Sequence, residues 1–316
     1  MEYNQDELSS PAWLNDEFFE HVIRAFAHDP TIKLTAKCKL RPGTKAGDHF
    51  ASVMYRTTVR YRSDGEETSL DLIMKLKPVS EGLKKDLLEG EDFFGREIRI
   101  YNEVLPAMAR MLGSIGEEYN YPRLVYSSTE PYTIIILEDI SSKGWGMKGL
   151  IKSFEELEPT IKTIAKFHAA SVVMDHNRAD TIVDTMFVDY QMCCWSSQTV
   201  DLFYLTYMIP EQSVKECHRD QIIYSYHREF SRILQRLEYG GRIPSLIDLQ
   251  TEMLRNGALE LFHYIVFSAF RYIDLSTVDA EAFFLGRIEN PALAKEEFQR
   301  VMKEEMKRFL YQGIIS

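Results

Sequence analysis

Hydrophobic positions in the front of the chain change their period several times. Residues 11–28 carry apolar side chains at helical spacing, which predicts a helix. The next runs, A-S-V-M-Y-R-T-T-V-R-Y-R and S-L-D-L-I-M-K-L-K, alternate between apolar and polar residues, and S-D-G-E-E separates them. This pattern predicts two antiparallel strands joined by a hairpin loop.

Helical spacing returns over residues 83–112, and two short strands are predicted after it. The apolar stripe of that helix consists of Phe94, Ile98, Tyr101, Leu105 and Met108. The strands are predicted at Arg123–Tyr126 and Tyr132–Leu137.

From about residue 140 the pattern becomes mostly helical. Helices are predicted at Ser153–Ser171, where S-F-E-E has the pattern of a capping box, and at Ser213–Glu238. S-L-I-D is predicted to open a further helix. The pattern therefore predicts an α+β chain of two lobes, with a sheet-rich lobe at residues 1–140 and a helical lobe at 141–316.

Composition narrows the class of protein. The 316 residues are 45% hydrophobic and 27% charged, which is typical of a soluble globular protein. The net charge of -11 argues against nucleic acid or an anionic membrane as the main partner, and no apolar stretch is long enough to span a bilayer. The N-terminus does not have the pattern of a signal peptide, and the four cysteines lack zinc-ligand spacing. We therefore expect a cytoplasmic protein with reduced thiols.

Two charged residues are candidates for chemistry. Lys75 points away from the apolar face of its predicted strand, where a solvated lysine is the more common finding. Glu97 lies within the apolar arc of its predicted helix, and a carboxylate there is unfavourable unless it is paired. A strand lysine followed by an inward helix glutamate is how phosphotransferases hold ATP phosphates, although Glu97 could equally be a rim residue.

Three weaker features follow the same order along the chain. The turn P-G-T-K-A-G-D-H-F-A-S could cover phosphates with its backbone N–H groups, or be a plain loop. I-I-I-L-E-D-I could be a hinge that carries adenine, or a core strand followed by a loop. Asp189 follows a predicted strand at Thr185–Val188, where it could bind magnesium or cap a turn. Together with Lys75 and Glu97, this order is that of a kinase-like fold.

With these motifs the chain resembles the ecdysteroid kinase-like family of arthropods, also called CHK kinase-like. That family is similar to choline kinases and aminoglycoside phosphotransferases. The stretches that carry the resemblance extend over nearly the whole chain; they are G-D-H-F-A-S-V-M-Y-R-T-T-V, L-I-M-K-L-K-P, F-F-G-R-E-I-R-I-Y-N-E-V-L-P, I-I-L-E-D-I, A-K-F-H-A-A-S and F-V-D-Y-Q-M-C-C-W-S-S-Q-T-V-D-L-F-Y-L.

The resemblance implies a two-lobed protein-kinase-like fold with ATP and Mg²⁺ as cofactors. It implies transfer of the γ-phosphate to an alcohol on a small, ecdysteroid-like or otherwise lipophilic molecule. It implies that the nucleotide is bound by Gly47, Asp48, Ser52, Lys75, Glu97, Glu138 and Ile140. It further implies that Asp189 binds the metal and that Asp201 braces the catalytic loop.

The catalytic loop of that family is missing from this sequence. The loop reads H-G-D, with an asparagine five residues beyond the aspartate, and none of the eight histidines here begins H-G-D. The interval from A-K-F-H-A-A-S to F-V-D-Y-Q is also much shorter than in the family. We therefore hypothesise an internal deletion in the helical lobe, from alternative splicing or a mispredicted gene model, with its junction between Val173 and Asp184.

The missing loop leaves no catalytic base to assign. General-base catalysis is worth about 10²- to 10⁴-fold, so we expect little or no phosphoryl transfer from this chain. Two alternatives stay open, which are a catalytically dead pseudokinase that binds nucleotide or a partner, and an unstable product. The acceptor cannot be identified from the sequence; the aromatic run Leu259–Phe270 could line an apolar pocket or pack in a core.

Overall fold

The computed structural model describes residues 7–44, 52–78, 92–146, 149–177, 196–273, 278, 282–283 and 286–316. These residues form two compact units. The first contains the described residues of 7–106 and 120–146, and the second contains 107–119 and the described residues from 149 onward. Residues 107–119 thus lie in the second unit although they come before residue 140. A domain boundary at residue 140 stays a prediction.

The first unit is built on one antiparallel sheet. Its order is β1-β3-β4-β6-β5, and β2 pairs with β3. The strands are β1 Lys33–Leu34, β2 Arg41–Pro42, β3 Val53–Ser63, β4 Glu66–Leu76, β5 Leu124–Ser128 and β6 Ile134–Glu138. The two long predicted strands and the two later ones are all present, and their ends differ from the predicted ones by one to three residues.

The hairpin between β3 and β4 has the turn that its sequence predicts. Asp64 and Gly65 both have positive φ, of 52° and 85°. Two consecutive residues with positive φ form a turn whose twist matches that of the two strands, and Asp-Gly is a preferred pair for it. The turn fixes the register in which Met54 lies opposite Lys75.

One face of the sheet is covered by helix α1, Asp16–Ala27. The buried side chains of this helix, Phe19, Val22 and Ile23, belong to the same core as Tyr55, Leu72 and Met74 of the sheet. The helix begins later than the predicted residue 11, because the side chain of Asn15 accepts a hydrogen bond from the Phe18 amide and caps it there. Lys75 lies on the sheet face opposite to Met74, since side chains alternate along a strand.

A second helical segment begins at α2, Phe93–Arg99, and continues through a π-helical turn at Ile100–Val104 into α3, Leu105–Ser114. The start predicted at residue 83 lies outside the described residues. Of the predicted stripe, Ile98 is only partly buried, whereas Glu97 is buried at 4% exposure. Glu97 is thus more deeply buried than Ile98, because it has a charged partner on the inner face, as described below.

The described part of the second unit is helical. Its longer helices are α4 Phe154–Asn177, α5 Thr199–Met208, α6 Gln212–Arg236, α7 Leu246–Arg255, α8 Gly257–Val266 and α9 Glu296–Tyr311, and short 3₁₀ helices lie at Ser268–Tyr272 and Pro291–Ala294. The predicted end of α4 at Ser171 is wrong, since Val173 and Met174 are buried and the apolar face of the helix continues. S-L-I-D opens α7 as predicted, with Ser245 and Asp248 forming a capping box.

The aromatic run Leu259–Phe270 divides between two environments. It forms α8 and part of the 3₁₀ helix at Ser268–Tyr272. Tyr264 is buried in a core with Phe203, Tyr207 and other apolar side chains, whereas Phe262 is 50% exposed. Core packing therefore accounts for one face of α8.

A group of five charged residues, of which three are buried and two partly buried, lies among helices of the second unit. We call it the charge cluster; it consists of Lys215, Arg219, Glu260, Glu305 and Arg308. Nitrogens of Arg308 lie 2.9 Å from both Glu260 and Glu305, while Arg219 pairs with Glu260 and Lys215 with Glu305. The hydroxyl of Tyr207 donates to Glu260 at 2.8 Å. Each charge therefore has an opposite partner, as buried charges require.

Candidate functional site

Lys75 and Glu97 form a buried ion pair in the first unit. The Lys75 Nζ atom donates to Glu97 Oε2 at 2.7 Å, and both side chains are largely buried. Lys75 stands on β4 and Glu97 on α2, so the pair joins two elements that are 22 residues apart in sequence. The reading of Lys75 as a solvated surface lysine, and of Glu97 as a rim residue, is therefore wrong.

The surroundings hold the Lys75 ammonium group in place. It lies 5.8 Å from the centre of the Phe94 ring, close enough for a favourable cation–π interaction. Ile135 of β6 lies opposite Lys75 in the sheet and is fully buried. A flexible side chain held in this way keeps its charge at one position on the sheet, which is what a phosphate-binding lysine needs.

The remaining predicted nucleotide residues lie around this pair or outside the described residues. Ser52 is buried and immediately precedes β3, whose first residue lies opposite Leu76. Glu138 pairs with Leu72, three residues along β4 from Lys75, a distance of about 10 Å at the rise of a strand. Ile140 begins a short 3₁₀ helix, Ile140–Lys143, just beyond β6. Gly47 and Asp48 lie outside the described residues.

A buried carboxylate that the sequence analysis did not identify borders the glycine-bearing turn. Glu7 is 2% exposed. It accepts hydrogen bonds from the Thr44 hydroxyl at 3.0 Å and from the Met54 amide at 3.3 Å. Glu7 thus joins Thr44, near the start of the turn, to the strand that follows it. No local pattern marks it, because an acid in an irregular N-terminal segment is ordinarily solvated.

The end of β6 carries a second ion pair that sequence reasoning missed. Asp139 pairs with Arg56 of β3, whose guanidinium also donates to Ser141 at 3.0 Å and to the Gly43 carbonyl at 2.9 Å. Gly43 has no room for a side chain, since a Cβ atom there would lie 2.7 Å from Cβ of Met54. Arg56 therefore links the start of the glycine-bearing turn to the predicted hinge.

The hydrogen bonds around Asp139 determine its acidity. Burial by itself raises the pKa of this carboxyl. The hydrogen bonds from Ser141 and Arg56, together with the positive charge of Arg56, outweigh burial and hold the pKa below its ordinary value. Asp139 is therefore ionised at neutral pH and keeps Arg56 in place.

The metal site cannot be built from the described residues. Asp189, the predicted metal ligand, lies outside them. Within the described ranges, no three residues of the His, Cys, Asp and Glu types come together as a metal site would require. The binding of a metal by Asp189 therefore stays a prediction.

One tripeptide does match the wider pattern H-x-D. His218, Arg219 and Asp220 read H-R-D, but they lie inside the long helix α6. Arg219 is held by Glu260 in the charge cluster, and the residue five positions beyond Asp220 is Ser225 and not asparagine. A helix interior cannot present these residues as a loop, so this tripeptide does not replace the missing H-G-D.

Asp201, the predicted brace of the catalytic loop, has a different partner within the second unit. It lies in the first turn of α5, and Nε2 of His168 on α4 donates to its Oδ2 at 2.8 Å. Nδ1 of His168 lies 2.7 Å from the Tyr226 hydroxyl, which donates to Gln198 at 2.6 Å. A chain of hydrogen bonds thus connects four side chains from α4, α5 and α6.

A comparison with protein families gives one match. The model of the ecdysteroid kinase-like family matches residues 46–182 and 173–239, which together cover more than half of the 316 residues. No curated protein and no solved structure gives a significant match. Among the described residues, no helix is long and apolar enough to cross a membrane.

Proposed function

The chain belongs to the ecdysteroid kinase-like family, and from this premise we propose that it is a nucleotide-binding member whose phosphoryl transfer is strongly impaired. The family is kinase-like and points to a small-molecule phosphotransferase. We propose ATP with Mg²⁺ as the cofactors and an alcohol of a lipophilic small molecule as the acceptor, in a cytoplasmic setting. The alternative, an unstable product without function, predicts no response to nucleotide.

The Lys75–Glu97 pair is the observation that carries nucleotide binding. The 2.7 Å bond to Glu97 holds the positive charge of the buried Lys75 at a fixed position on the sheet, where it can attract phosphate oxygens. In kinases such a pair keeps a lysine extended toward the phosphates. Phosphoryl transfer needs little covalent chemistry from the protein, so this electrostatic positioning makes a large contribution. Arg56 and Asp139 support the same face of the sheet.

Two observations support the impairment of catalysis. None of the eight histidines begins H-G-D, and the only H-R-D lies within α6. The family model also matches in two overlapping stretches that meet at residues 173–182, where we place the junction of the hypothesised deletion. Without the loop, the aspartate that orients the acceptor hydroxyl is absent, and its contribution of about 10²- to 10⁴-fold is lost.

Thermal unfolding with and without Mg-ATP tests nucleotide binding. A ligand at a hundred times its Kd stabilises the folded protein by about 2.7 kcal/mol, which corresponds to a rise of several degrees in Tm. We expect this rise with Mg-ATP, a much smaller one with adenosine, and none with the Lys75→Met variant. No change in the wild-type Tm on addition of Mg-ATP would contradict the proposal and favour an unstable product.

Phosphoryl transfer is tested separately. We expect incubation with radiolabelled ATP and a panel of ecdysteroids to give no phosphorylated product above background. Product formed at the rate of an H-G-D-bearing relative, and abolished by Lys75→Ala, would contradict the impairment. Mass spectrometry of the source tissue adds a direct check, because a peptide that crosses Val173–Asp184 exists only if the shortened chain is made.

A further inference from the structure

The sheet of the first unit has a cavity of about 430 Å³ at the edge that carries β1 and β2. This volume is in the range of small-molecule sites. The described lining contains no carboxylate and four cationic side chains, which are Lys37, Lys39, Arg41 and Arg60; Ala36, Thr57 and Thr58 complete it. We call the space between these four cations the cationic groove.

The cavity exists because this edge of the sheet has a gap. β1 pairs with β3 at Tyr61 and Arg62, and β2 pairs with β3 at Tyr55 and Arg56. Among the described residues, no strand lies opposite 57–60 on this edge. The connection between β1 and β2 passes around the gap and leaves the groove between itself and β3.

A backbone donor points toward the same gap. The carbonyl groups of Met54 and Arg60 accept hydrogen bonds on this edge, from the amides of Gly43 at 2.8 Å and Thr35 at 2.9 Å. Alternate residues of an antiparallel strand direct their backbone groups to the same side. Thr58 follows this alternation, so its N–H group is directed toward the groove.

The connection, residues 35–40, turns its lysines outward. Cys38 and Leu40 pack against the core of the first unit. Lys37 and Lys39 alternate with them, face away from the core and line the cavity. The two lysines therefore lie on the same wall of the groove.

Two hydrogen bonds fix the backbone of this connection. The Thr57 hydroxyl donates to the Lys39 carbonyl at 3.1 Å, and the Cys38 amide donates to the Asp16 carboxylate of α1 at 2.8 Å. A group that is already held in place loses less freedom when a ligand binds to it. The wall of the groove is thus largely formed before any ligand arrives.

The four cations of the groove have no opposite charge of their own. All four are exposed, and within the part of the chain that the structure describes none of them forms an ion pair. Asp71 of the neighbouring strand β4 instead accepts from the Thr58 hydroxyl at 2.5 Å. The chain has 48 acidic and 37 basic residues, so its composition does not account for four unpaired cations in one place. A cleft lined by one sign of charge concentrates ions of the other sign.

We propose that the cationic groove binds a compact anion with several phosphate groups, such as a phosphorylated inositol, either free or as the headgroup of a lipid. An arginine binds two phosphate oxygens at once and a lysine supplies a point charge, so two of each suit a cluster of phosphates. The Cα atoms of Lys37 and Arg41 are at most about 14 Å apart, since four residues separate them. Arg60 stands on the opposite wall, and the Thr58 N–H adds a neutral donor.

An acidic peptide fits the groove less well than clustered phosphates. Carboxylates on one side of an extended peptide repeat about every 7 Å, so four of them span about 20 Å. That span exceeds the separation of Lys37 and Arg41, whereas the phosphates on one inositol ring lie closer together.

The groove is separate from Lys75, and the proposal does not rest on nucleotide binding. Arg60 lies opposite Ser69 in the sheet. Ser69 is six residues along β4 from Lys75, a distance of about 20 Å at the rise of a strand. The anion is therefore not a nucleotide triphosphate held by Lys75.

Calorimetric titration of the full chain with inositol hexakisphosphate tests the groove in the absence of ATP and Mg²⁺. We expect the double variant Lys39→Gln with Arg60→Gln to raise the Kd at least about tenfold, because it removes a charged donor from each wall. The matched control, Lys33→Gln with Arg62→Gln, removes the same charge from the same edge outside the cavity. It should change the Kd less than about threefold, since salt screens charges that do not touch the ligand.

Two further ligands identify the source of the phosphates and exclude a peptide. If the ligand is a lipid headgroup, the chain sediments with phosphatidylcholine vesicles only when they contain a phosphatidylinositol bisphosphate, and the double variant does not. If the ligand is free, only the soluble inositol phosphate binds. A hexaglutamate peptide that binds as tightly as inositol hexakisphosphate would overturn the proposal in favour of an acidic partner.

The variants have exposed side chains at all four substituted positions, so they should keep the Tm of the parent. The double variant should also keep any rise in Tm that the parent shows with Mg-ATP. Loss of both responses together would assign the anion to the nucleotide site and overturn the proposal. Absence of binding to inositol hexakisphosphate, or equal losses in the double variant and its control, would overturn it as well.

Discussion

A lysine and a glutamate buried against each other depend on each other for their stability. Each loses its hydration on folding, and the ion pair repays that loss only while both partners are present. Lys75 and Glu97 are such a pair, with side chains 11% and 5% exposed. The consequence for single residues is an asymmetry, since removal of one partner is far more damaging than removal of both.

We expect Lys75→Met to lower the free energy of unfolding by about 3–5 kcal/mol, because it leaves the Glu97 carboxylate buried without its main partner. The double variant Lys75→Met with Glu97→Leu should recover most of that loss. Urea unfolding of the parent protein, the two single variants and the double variant measures both effects. The exposed neighbour Lys77 provides the matched control, and Lys77→Met should change stability by less than about 0.5 kcal/mol. Equal losses in the single and double variants would contradict this account.

Elements could be predicted where the signal is local. The hairpin at Asp64-Gly65 is set by the conformational freedom of two adjacent residues, and the capping box at Ser245 by hydrogen bonds within one turn. The π-helical turn at Ile100–Val104 had no such signal, and neither did the partial exposure of Ile98. Periodicity places Ile98 and Glu97 in the same apolar arc, and only Lys75, on another element, makes Glu97 the more deeply buried of the two.

In the candidate site, too, only residues with a local signal could be predicted from the sequence. Lys75 and Glu97 could be identified because each breaks the pattern of its own element. Arg56 and Asp139 could not, since an arginine on a strand and an acid after one are ordinary, and only the antiparallel pairing of β3, β4 and β6 brings them together. The helix α4 extended past its predicted end for a related reason, because burial of Val173 and Met174 depends on packing against other helices.

The hairpin turn provides a test at the scale of one element. Gly65 has a φ of 85° and no atom within 4 Å of a built Cβ, so Gly65→Ala introduces backbone strain without a clash. We expect a loss of about 1 kcal/mol in the free energy of unfolding, measured with urea. Gly146 is equally open but has no positive φ, so Gly146→Ala should be neutral or slightly stabilising. A similar effect of the two substitutions would exclude strain as the cause.

For the molecule as a whole, acid sensitivity depends on carboxylates paired with several cations. Glu117, in the second unit, accepts from Arg232 at 2.8 Å, lies 2.8 Å from Lys166 and also pairs with Arg236. The hydrogen bond from Arg232 is the main cause that lowers the pKa of Glu117 to about 2, and Lys166 adds to it. A carboxyl with a lowered pKa stabilises the folded state above its ordinary pKa and loses this effect as the pH falls.

We therefore expect Glu117→Gln to be destabilising at neutral pH and progressively less so as the pH falls from about 4.5 to about 2. Thermal unfolding of both proteins across this range measures the difference. Glu118→Gln, at the exposed neighbour, should leave the loss of stability at acidic pH unchanged. A difference between Glu117→Gln and the parent that persists at pH 2 would assign the effect to lost packing and not to charge.

The charge cluster has a consequence for how the second unit is made. Lys215, Arg219 and Glu260 are synthesised before Glu305 and Arg308, which belong to α9. Until α9 has left the ribosome, Lys215 has no carboxylate beside it and cannot be buried at low free energy. The earlier helices therefore cannot pack fully before α9 is present, and this unit completes its folding only after α9 has been translated. Until then its incomplete core is exposed to chaperones.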